Sequence, residues 1–567
     1  MSAPIAGTLR RALATVSLAT IALGYLACSS SRQFDGQRVN GRPAKAGGEE
    51  TGVAGKDLPQ EIAAATVARE GDAFSSVAGA VNAEIKPYAS PTDREQYSRI
   101  YDNAFLSPRA NPLSTFSIDV DAASYSNIRR FLTSGQAPPA DAVRIEEMIN
   151  YFHYEYPEPE GPHPFSVVTE MADAPWNARH KLILIGLQGR HIQRENLPPS
   201  NLVFLLDVSG SMDEPDKLPL LKSAFRLLVQ QLRPQDRVAI VVYAGAAGLV
   251  LPSTPGSERD SILAALDCLQ AGGSTAGGAG IQLAYRVAKE NLIPGGNNRV
   301  ILATDGDFNV GVSSDAELIR MIEEKRTEGA FLTVLGFGTG NLQDARMEQL
   351  ADKGNGNYAY VDNINEARKV FVHELGGTLV TIAKDVKLQV EFNPAQVAAY
   401  RLIGYENRVL QSEDFNDDTK DAGELGAGHS VTALYEIVPA GQELDVTVGG
   451  IDSLKYQALP APQSGAQSAE LLTVKLRYKR PNEDSSRLLS QVLNARHEQG
   501  GANLGWASAV AGFGMVLRGS EYRGSADANL VLRLAREWRG DDEQGYRAEF
   551  VSLVEKYRDL RTTAMRE

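Results

Sequence analysis

From Asn201 onward, apolar runs of four to six residues alternate with helical segments. Leu202 to Leu206 reads as a strand and Leu218 to Leu232 as a helix; Val238 to Tyr243 and Glu258 to Leu269 repeat the pair. A helix over Ala279 to Asn291 leads to a strand over Val300 to Ala303, and a helix over Ala316 to Glu328 to a strand over Phe331 to Leu335. The series closes with helix Leu342 to Lys353, strand Tyr358 to Val361 and helix Ile364 to Leu375. Short, wholly apolar strands between amphipathic helices predict an α/β domain over 200–376. Its sheet should be doubly wound, mostly parallel and covered on both faces.

The flanks read differently. Thr115 to Val120 alternates like a short strand, Asp121 stands where a helix cap belongs, and a helix should run from Ala122 to Leu132. Asp119 and Asp121 resemble the start of a calcium loop, but the later Gly and bidentate Glu of an EF-hand are missing. A second helix is expected over Ala142 to Tyr151. The aromatic run Tyr151-Phe152-His153-Tyr154-Glu155-Tyr156 then reads as a packing surface. Strands are predicted over Phe165 to Met171 and Lys181 to Leu187, with Pro198-Pro199 marking a boundary. After Gly377 the pattern returns to strands: Val386 to Phe392, Ala398 to Ile403, Ser430 to Val438 and Leu471 to Tyr478. From Asp484 onward the chain reads as helical, with Leu504 to Leu517 a packed helix too short to span a membrane. The expected organisation is an α+β extension over 111–199, the α/β domain, a β-rich domain over 377–483 and a helical region over 484–567. Phe165 to Leu187 should pair with the later strands, making the α/β domain an insertion in one β-sandwich.

The 567 residues are too many for one hydrophobic core, and their 43% apolar and 23% charged content is that of a soluble globular protein. A net charge of −14 excludes a nucleic-acid partner, since no basic stripe overrides it locally. Two cysteines exclude a disulfide framework and any Cys-rich zinc site. Cys268 lies in an apolar-periodic run and is expected to be a buried small hydrophobe. Arg10 and Arg11, followed by an uncharged run from Ala12 to Ala27, predict a secretory signal peptide over 1–28. Its end, Leu26-Ala27-Cys28, resembles a bacterial lipobox, in which the Cys28 thiol is acylated and becomes the new N-terminus. The Gly-, Ala-, Glu-, Gln- and Lys-rich stretch that follows, 29–110, reads as a flexible tether.

In an open parallel sheet, ligands bind at the carboxyl ends of the strands. The first α/β strand ends in Asp207-Val208-Ser209-Gly210-Ser211, whose alternate residues turn oxygens toward a common point. Asp305, in Ala303-Thr304-Asp305-Gly306-Asp307, supplies a second carboxylate, and Thr275 a hydroxyl within the glycine-rich Gly272 to Gly278 loop. Two carboxylates with three hydroxyls suit a hard divalent cation, Mg²⁺ or Mn²⁺ first and Ca²⁺ as the alternative, and not zinc or copper. Neutral hydroxyls leave such an ion electron-poor, so an outside carboxylate can claim a position held by water. No Walker or dinucleotide glycine loop argues for a nucleotide, and Gly336 to Gly340 reads as a turn. His373-Glu374 lacks the second His of a metalloprotease, and the three tryptophans read as core anchors.

Asp-x-Ser-x-Ser, a Thr in a glycine-rich loop and Thr-Asp-Gly after a strand resemble the metal-ion-dependent adhesion site of von Willebrand factor A domains. That resemblance implies direct metal contacts from Ser209, Ser211 and Thr275, with Asp207 and Asp305 acting through water or hydrogen bonds. The Ser117-Ile118-Asp119-Val120-Asp121 run and the regions beyond the α/β domain resemble the YfbK-type bacterial lipoproteins. Together these imply a lipid-anchored envelope protein, in the periplasm or outward from the outer membrane, that binds an Asp or Glu of a partner protein without catalysis. The competing expectations are a metal-dependent hydrolase using the same centre, with Asp307 as its base, and a structural envelope protein with a vestigial site.

Overall fold

The computed structural model describes residues 95–274, 277–306, 315–374, 379–449, 464–495 and 500–564. The signal peptide, Cys28, most of the tether, Thr275 and Asp307 lie outside the described residues. Residues 95–110, expected to belong to the tether, are instead packed: Glu95 pairs with Arg130 at 2.7 Å, and Leu106 exchanges backbone hydrogen bonds with Tyr400.

In chain order the first elements are β1 (Leu113–Ser117), α1 (Ala123–Thr133), α2 (Ile145–Asn150), β2 (Phe165–Ala174) and β3 (Asn177–Gly189). The α/β unit follows: β4 (Ser200–Asp207), α3 (Leu218–Gln231), β5 (Arg237–Tyr243), β6 (Ala247–Pro255), α4 (Arg259–Asp267), α5 (Gly277–Glu290), β7 (Asn297–Thr304), α6 (Asp315–Thr327), β8 (Phe331–Phe337), α7 (Asp344–Lys353), β9 (Tyr358–Val361) and α8 (Ile364–Arg368). Then come β10 (Thr381–Phe392), β11 (Val397–Ile403), β12 (Gly423–Gly426), β13 (Ser430–Pro439), β14 (Glu470–Lys479) and β15 (Arg487–Asn494). The described chain ends in α9 (Ala502–Arg518), α10 (Ala528–Glu537) and α11 (Tyr546–Ala564).

The central sheet has the order β6-β5-β4-β7-β8-β9, parallel except for the antiparallel β5–β6 pair. The period of two sends alternate residues of β4 to opposite faces. Leu202, Phe204 and Leu206 pack with Leu221, Phe225 and Leu228 of α3, while Val203 and Leu205 pack with Ile281 and Ala284 of α5. Burial on both faces is why these strands read as unbroken apolar runs.

The β-sandwich is built from both sides of this unit. One sheet has the order β1-β10-β14-β15, with β12 also paired to β10, and the other β11-β13-β3-β2. β3 pairs antiparallel with β13 and β1 with β10, so the α/β domain is an insertion, as the strand pattern predicts. Ile183, Ile185 and Leu187 of β3 face the sandwich interior, and Leu182 and Leu184 face the other way, onto the helices α1, α2 and α9–α11. The aromatic run is the packing surface expected, with Tyr151, Phe152 and Tyr154 buried in that helical layer around Trp506. Trp176 is buried in the same layer and Trp538 half-covers it.

Four expectations are corrected. Residues 487–494, read as helical, form β15, whose pairing with β14 outweighs a composition without clean alternation; Leu488 and Val492 remain exposed. Asp121 does not cap α1, whose N-cap is Ala122; its Oδ1 instead accepts from the Tyr358 amide at 2.8 Å, joining the extension to β9. α8 stops at Arg368 and the chain continues as a wider π turn over Lys369–His373. Cys268 is exposed because it falls just beyond α4, whose buried stripe is Ile262 and Leu266.

Candidate metal centre

The centre lies at the carboxyl ends of β4 and β7, where neighbouring parallel strands deliver their last residues side by side. Asp207 ends β4 and is fully buried. Its Oδ1 accepts from the Ser209 amide at 2.9 Å and its Oδ2 from the Thr304 hydroxyl at 3.2 Å. Beyond it the chain turns through a short 3₁₀ segment, Gly210–Asp213, which brings the Ser209 and Ser211 hydroxyls to 3.0 Å from each other. Asp305, directly after β7, is also fully buried. Of the five predicted site residues, the structure therefore gathers Asp207, Ser209, Ser211 and Asp305 at one end of the sheet; Thr275 lies outside the described residues.

Backbone hydrogen bonds hold the loops in place. Val208 N–H donates to Tyr243 O, Gly272 N–H to Val208 O and Gly210 N–H to Gly273 O, at 2.8–3.0 Å. Gly273 has a left-handed φ of +84°, and a Cβ there would press on the Gly245 amide at 3.3 Å. The glycines thus let three loops converge with low rims. Gly210, Gly245, Gly272, Gly273 and Ser274 are exposed, so the floor is buried while the mouth is open.

Burial pushes the Asp207 carboxyl up to about 6; the neighbouring charge of Asp305 acts in the same direction, and the hydrogen bonds from Ser209 act against it. A carboxylate so placed gains from a compensating cation. The set is oxygen-only, which fits a hard divalent ion.

Two groups at the centre have no counterpart in the sequence reading. Lys217, at the start of α3, places its Nζ 2.9 Å from Asp305 Oδ2, and Asn341 Nδ2 stands 3.4 Å from the same oxygen. Lys217 precedes the apolar period of α3 and Asn341 belongs to the loop after β8, so neither falls in a spacing that marks chemistry. Thr304 could have been found, since it immediately precedes Asp305 at a strand end.

A second acidic group lies at the seam between α/β unit and sandwich, where carboxylate oxygens of Asp119, Glu147 and Glu348 come within 4.8 Å of one another. It is occupied by cationic side chains. Arg408 stands 3.3 Å from Asp119 and 3.1 Å from Glu348, while Arg144 pairs with Glu147 and Asp344. His373 binds no such group: its Nδ1 is 3.0 Å from the Tyr546 hydroxyl. Among the described residues no helix is long and apolar enough to cross a membrane.

Comparison with known proteins gives the same outline. Residues 201–373 match the von Willebrand factor type A domain, 91–184 a family described as von Willebrand factor, and 377–560 the C-terminal family of the uncharacterized protein YfbK. The uncharacterized protein YfbK of Escherichia coli strain K12 is 43% identical over 485 residues, 84% of this chain and 83% of its own. Human inter-alpha-trypsin inhibitor heavy chain H4 is 29% identical over 162 residues, 27% of this chain and 17% of that protein. Among solved structures, a von Willebrand factor type A protein from Catenulispora acidiphila aligns over 66% of this chain and 87% of its own, at 17% identity and a TM-score of 0.38.

Proposed function

The chain belongs to the YfbK family, built around a von Willebrand factor A domain, and from that premise we propose that it is a metal-ion-dependent protein-binding lipoprotein of the bacterial envelope. The observation that carries this reading is the convergence of Asp207, Asp305, Ser209 and Ser211 on one open loop end. Asp207 and Asp305 supply negative charge. Ser209 and Ser211 supply neutral oxygens, and Thr275 adds a third in the proposed set. Bound there, a divalent cation such as Mg²⁺ or Mn²⁺ supplies Lewis acidity toward a carboxylate oxygen of the partner. The protein's own part is to hold its donors still, through the Ser209 amide and the Thr304 hydroxyl, and to keep the rim low with glycines so that a partner's Asp or Glu can reach the floor. The proposed role is binding, not turnover.

The location is part of the proposal. Arg10, Arg11, the uncharged run to Ala27 and Cys28 support export and lipid attachment, and the stretch after Cys28 supports a tether holding the folded part away from a membrane. Ser29 after the lipidated Cys favours the outer membrane.

The test is capture of envelope proteins by the full chain with Mg²⁺ or with excess chelator, using Asp207→Ala as control. Capture should require Mg²⁺ and be lost in Asp207→Ala while its circular dichroism is unchanged. Equal capture in chelator, or by the variant, would end the metal-dependent reading. Incorporation of labelled palmitate that persists in Cys28→Ser would end the anchor.

A further inference from the structure

Lys217 is buried beside the proposed centre, with its side chain 6% exposed and its ammonium 2.9 Å from an oxygen of Asp305, whose side chain is 0% exposed. A lysine reaching a buried carboxylate by accident is improbable on energetic grounds, because burying both charges costs more than exposing them unless the geometry is held. Here it is held. The Lys217 amide donates to Glu214 O at 3.0 Å, and its carbonyl accepts from Leu221 N at 2.8 Å, opening α3. The aliphatic stem lies across Gly338, whose φ is +73° and where any Cβ would run into that stem. The Gly338 carbonyl accepts from the Tyr360 hydroxyl at 2.7 Å, so the loop that leaves room for the lysine is itself fixed.

Resting on the metal reading above, we propose that Lys217 is a positioning residue that sets the charge of the centre: it neutralises Asp305 so that a bound divalent cation keeps a net positive charge toward the partner's carboxylate. Asp207 and Asp305 together bring two negative charges, which would cancel a divalent ion. With the ammonium included, these three side chains contribute one net negative charge, and a divalent ion held by them stays positive. Asp213 and Glu214 of the same loop are exposed, where water and salt screen them, and Asp216 is half-buried with its charge acting on Tyr360. Lys217 thus weakens metal affinity while strengthening the attraction for an anionic oxygen from outside.

A purely structural lysine predicts the opposite sign. If Lys217 only pinned Asp305, removing it would loosen a metal-site carboxylate and weaken metal binding. The experiment titrates Mn²⁺ into the full chain, following water-proton relaxation, and then titrates acetate into the Mn²⁺-loaded protein. Wild type, Lys217→Met, Lys217→Gln, Lys217→Arg and Asp207→Ala are compared, with urea midpoints measured alongside. Lys217→Met and Lys217→Gln should bind Mn²⁺ roughly tenfold tighter and need severalfold more acetate to displace water, and Lys217→Arg should stay near wild type. Should Lys217→Met fail to fold, Lys217→Gln, which keeps a donor toward Asp305, decides the matter. Unchanged or weaker Mn²⁺ affinity in the folded neutral variants overturns this inference alone. Mn²⁺ binding that is absent from wild type, or unaffected by Asp207→Ala, overturns the metal reading and this inference with it.

Discussion

Glu146 of α2 offers a sharp test of the seam between the α/β unit and the sandwich. The residue is 1% exposed and its Oε2 has no hydrogen-bond partner. Burial is the main cause of a carboxyl pKa raised from 4.5 to about 7; the charges of Glu406 and Asp119 add to it, while Arg518 and a backbone hydrogen bond from Tyr405 oppose it. The sign follows from linkage. The folded state holds this proton more tightly than the unfolded one, so the stabilisation is full below about pH 4.5 and is lost as pH rises through 7. A shift of that size corresponds to about 3 kcal/mol in total, most of which falls between pH 5 and pH 8. Glu146→Gln replaces the carboxyl with a group that is neutral throughout. Urea unfolding of both chains should therefore give free energies whose difference, variant minus wild type, grows by roughly 2–3 kcal/mol from pH 5 to pH 8. Titrating groups remote from Glu146 cancel in that difference. Trp176 and Trp506 report on the experiment directly, because they pack in the same helical layer as Ile145, Met148 and Ile149 of α2. A difference that stays flat within about 0.5 kcal/mol, comparable to the error of such extrapolations, would refute the reasoning.

Two further perturbations address how the parts are joined. Arg129 of α1 is buried and binds Asp362 and Glu366 of the α/β unit together with Glu549 of α11, so Arg129→Met leaves two buried carboxylates without their cation. The loss should be about 3–5 kcal/mol in urea unfolding, and a loss below about 1 kcal/mol would show that the seam tolerates these charges unpaired. Gly505 of α9 faces the Trp538 ring, and a Cβ there would lie 2.7 Å from its Cδ1. Gly505→Ala should therefore cost about 1–3 kcal/mol by overpacking, despite gaining up to about 1 kcal/mol of helix propensity, and should red-shift tryptophan emission; a more stable variant with unchanged emission would contradict this.

What could be read from the sequence follows from where the physical signal is local. Five of the six strands of the central sheet were legible because strands buried on both faces must be apolar throughout, as Leu202 to Leu206 is; the antiparallel edge strand β6, Ala247–Pro255, was missed because most of its residues are only partly buried or exposed and carry no such run. Asp207, Ser209 and Ser211 were legible because a strand end and a period of two place them together without help from the rest of the chain. Legibility ends where meaning is supplied by a distant partner. β15 carries no clean alternation, since only Leu493 of its residues is fully buried, and it becomes a strand through its pairing with β14. Asp121 sits one residue before the N-cap of α1 and looks like a cap in sequence, but its partner is the Tyr358 amide, 237 residues away.

Lys217 belongs to the same class: in the centre proposed above it is the residue that tunes the charge, and it lies outside the spacing that reveals the donors. The donors of a metal centre must share one point and are therefore clustered in strand ends and their loops. A residue that adjusts their charge needs only to reach one of them, from whatever element passes nearby. Lys217 reaches Asp305 across 88 positions of sequence, and the space for its stem depends on Gly338, in a third loop. Each of the three is unremarkable where it stands: a lysine before a helix, an aspartate after a strand, a glycine in a turn. Their combined effect on charge exists only once β4, β7 and β8 lie side by side. The proposed donor set can therefore be inferred from spacing, while the net charge it would present to a partner has to be read from the fold.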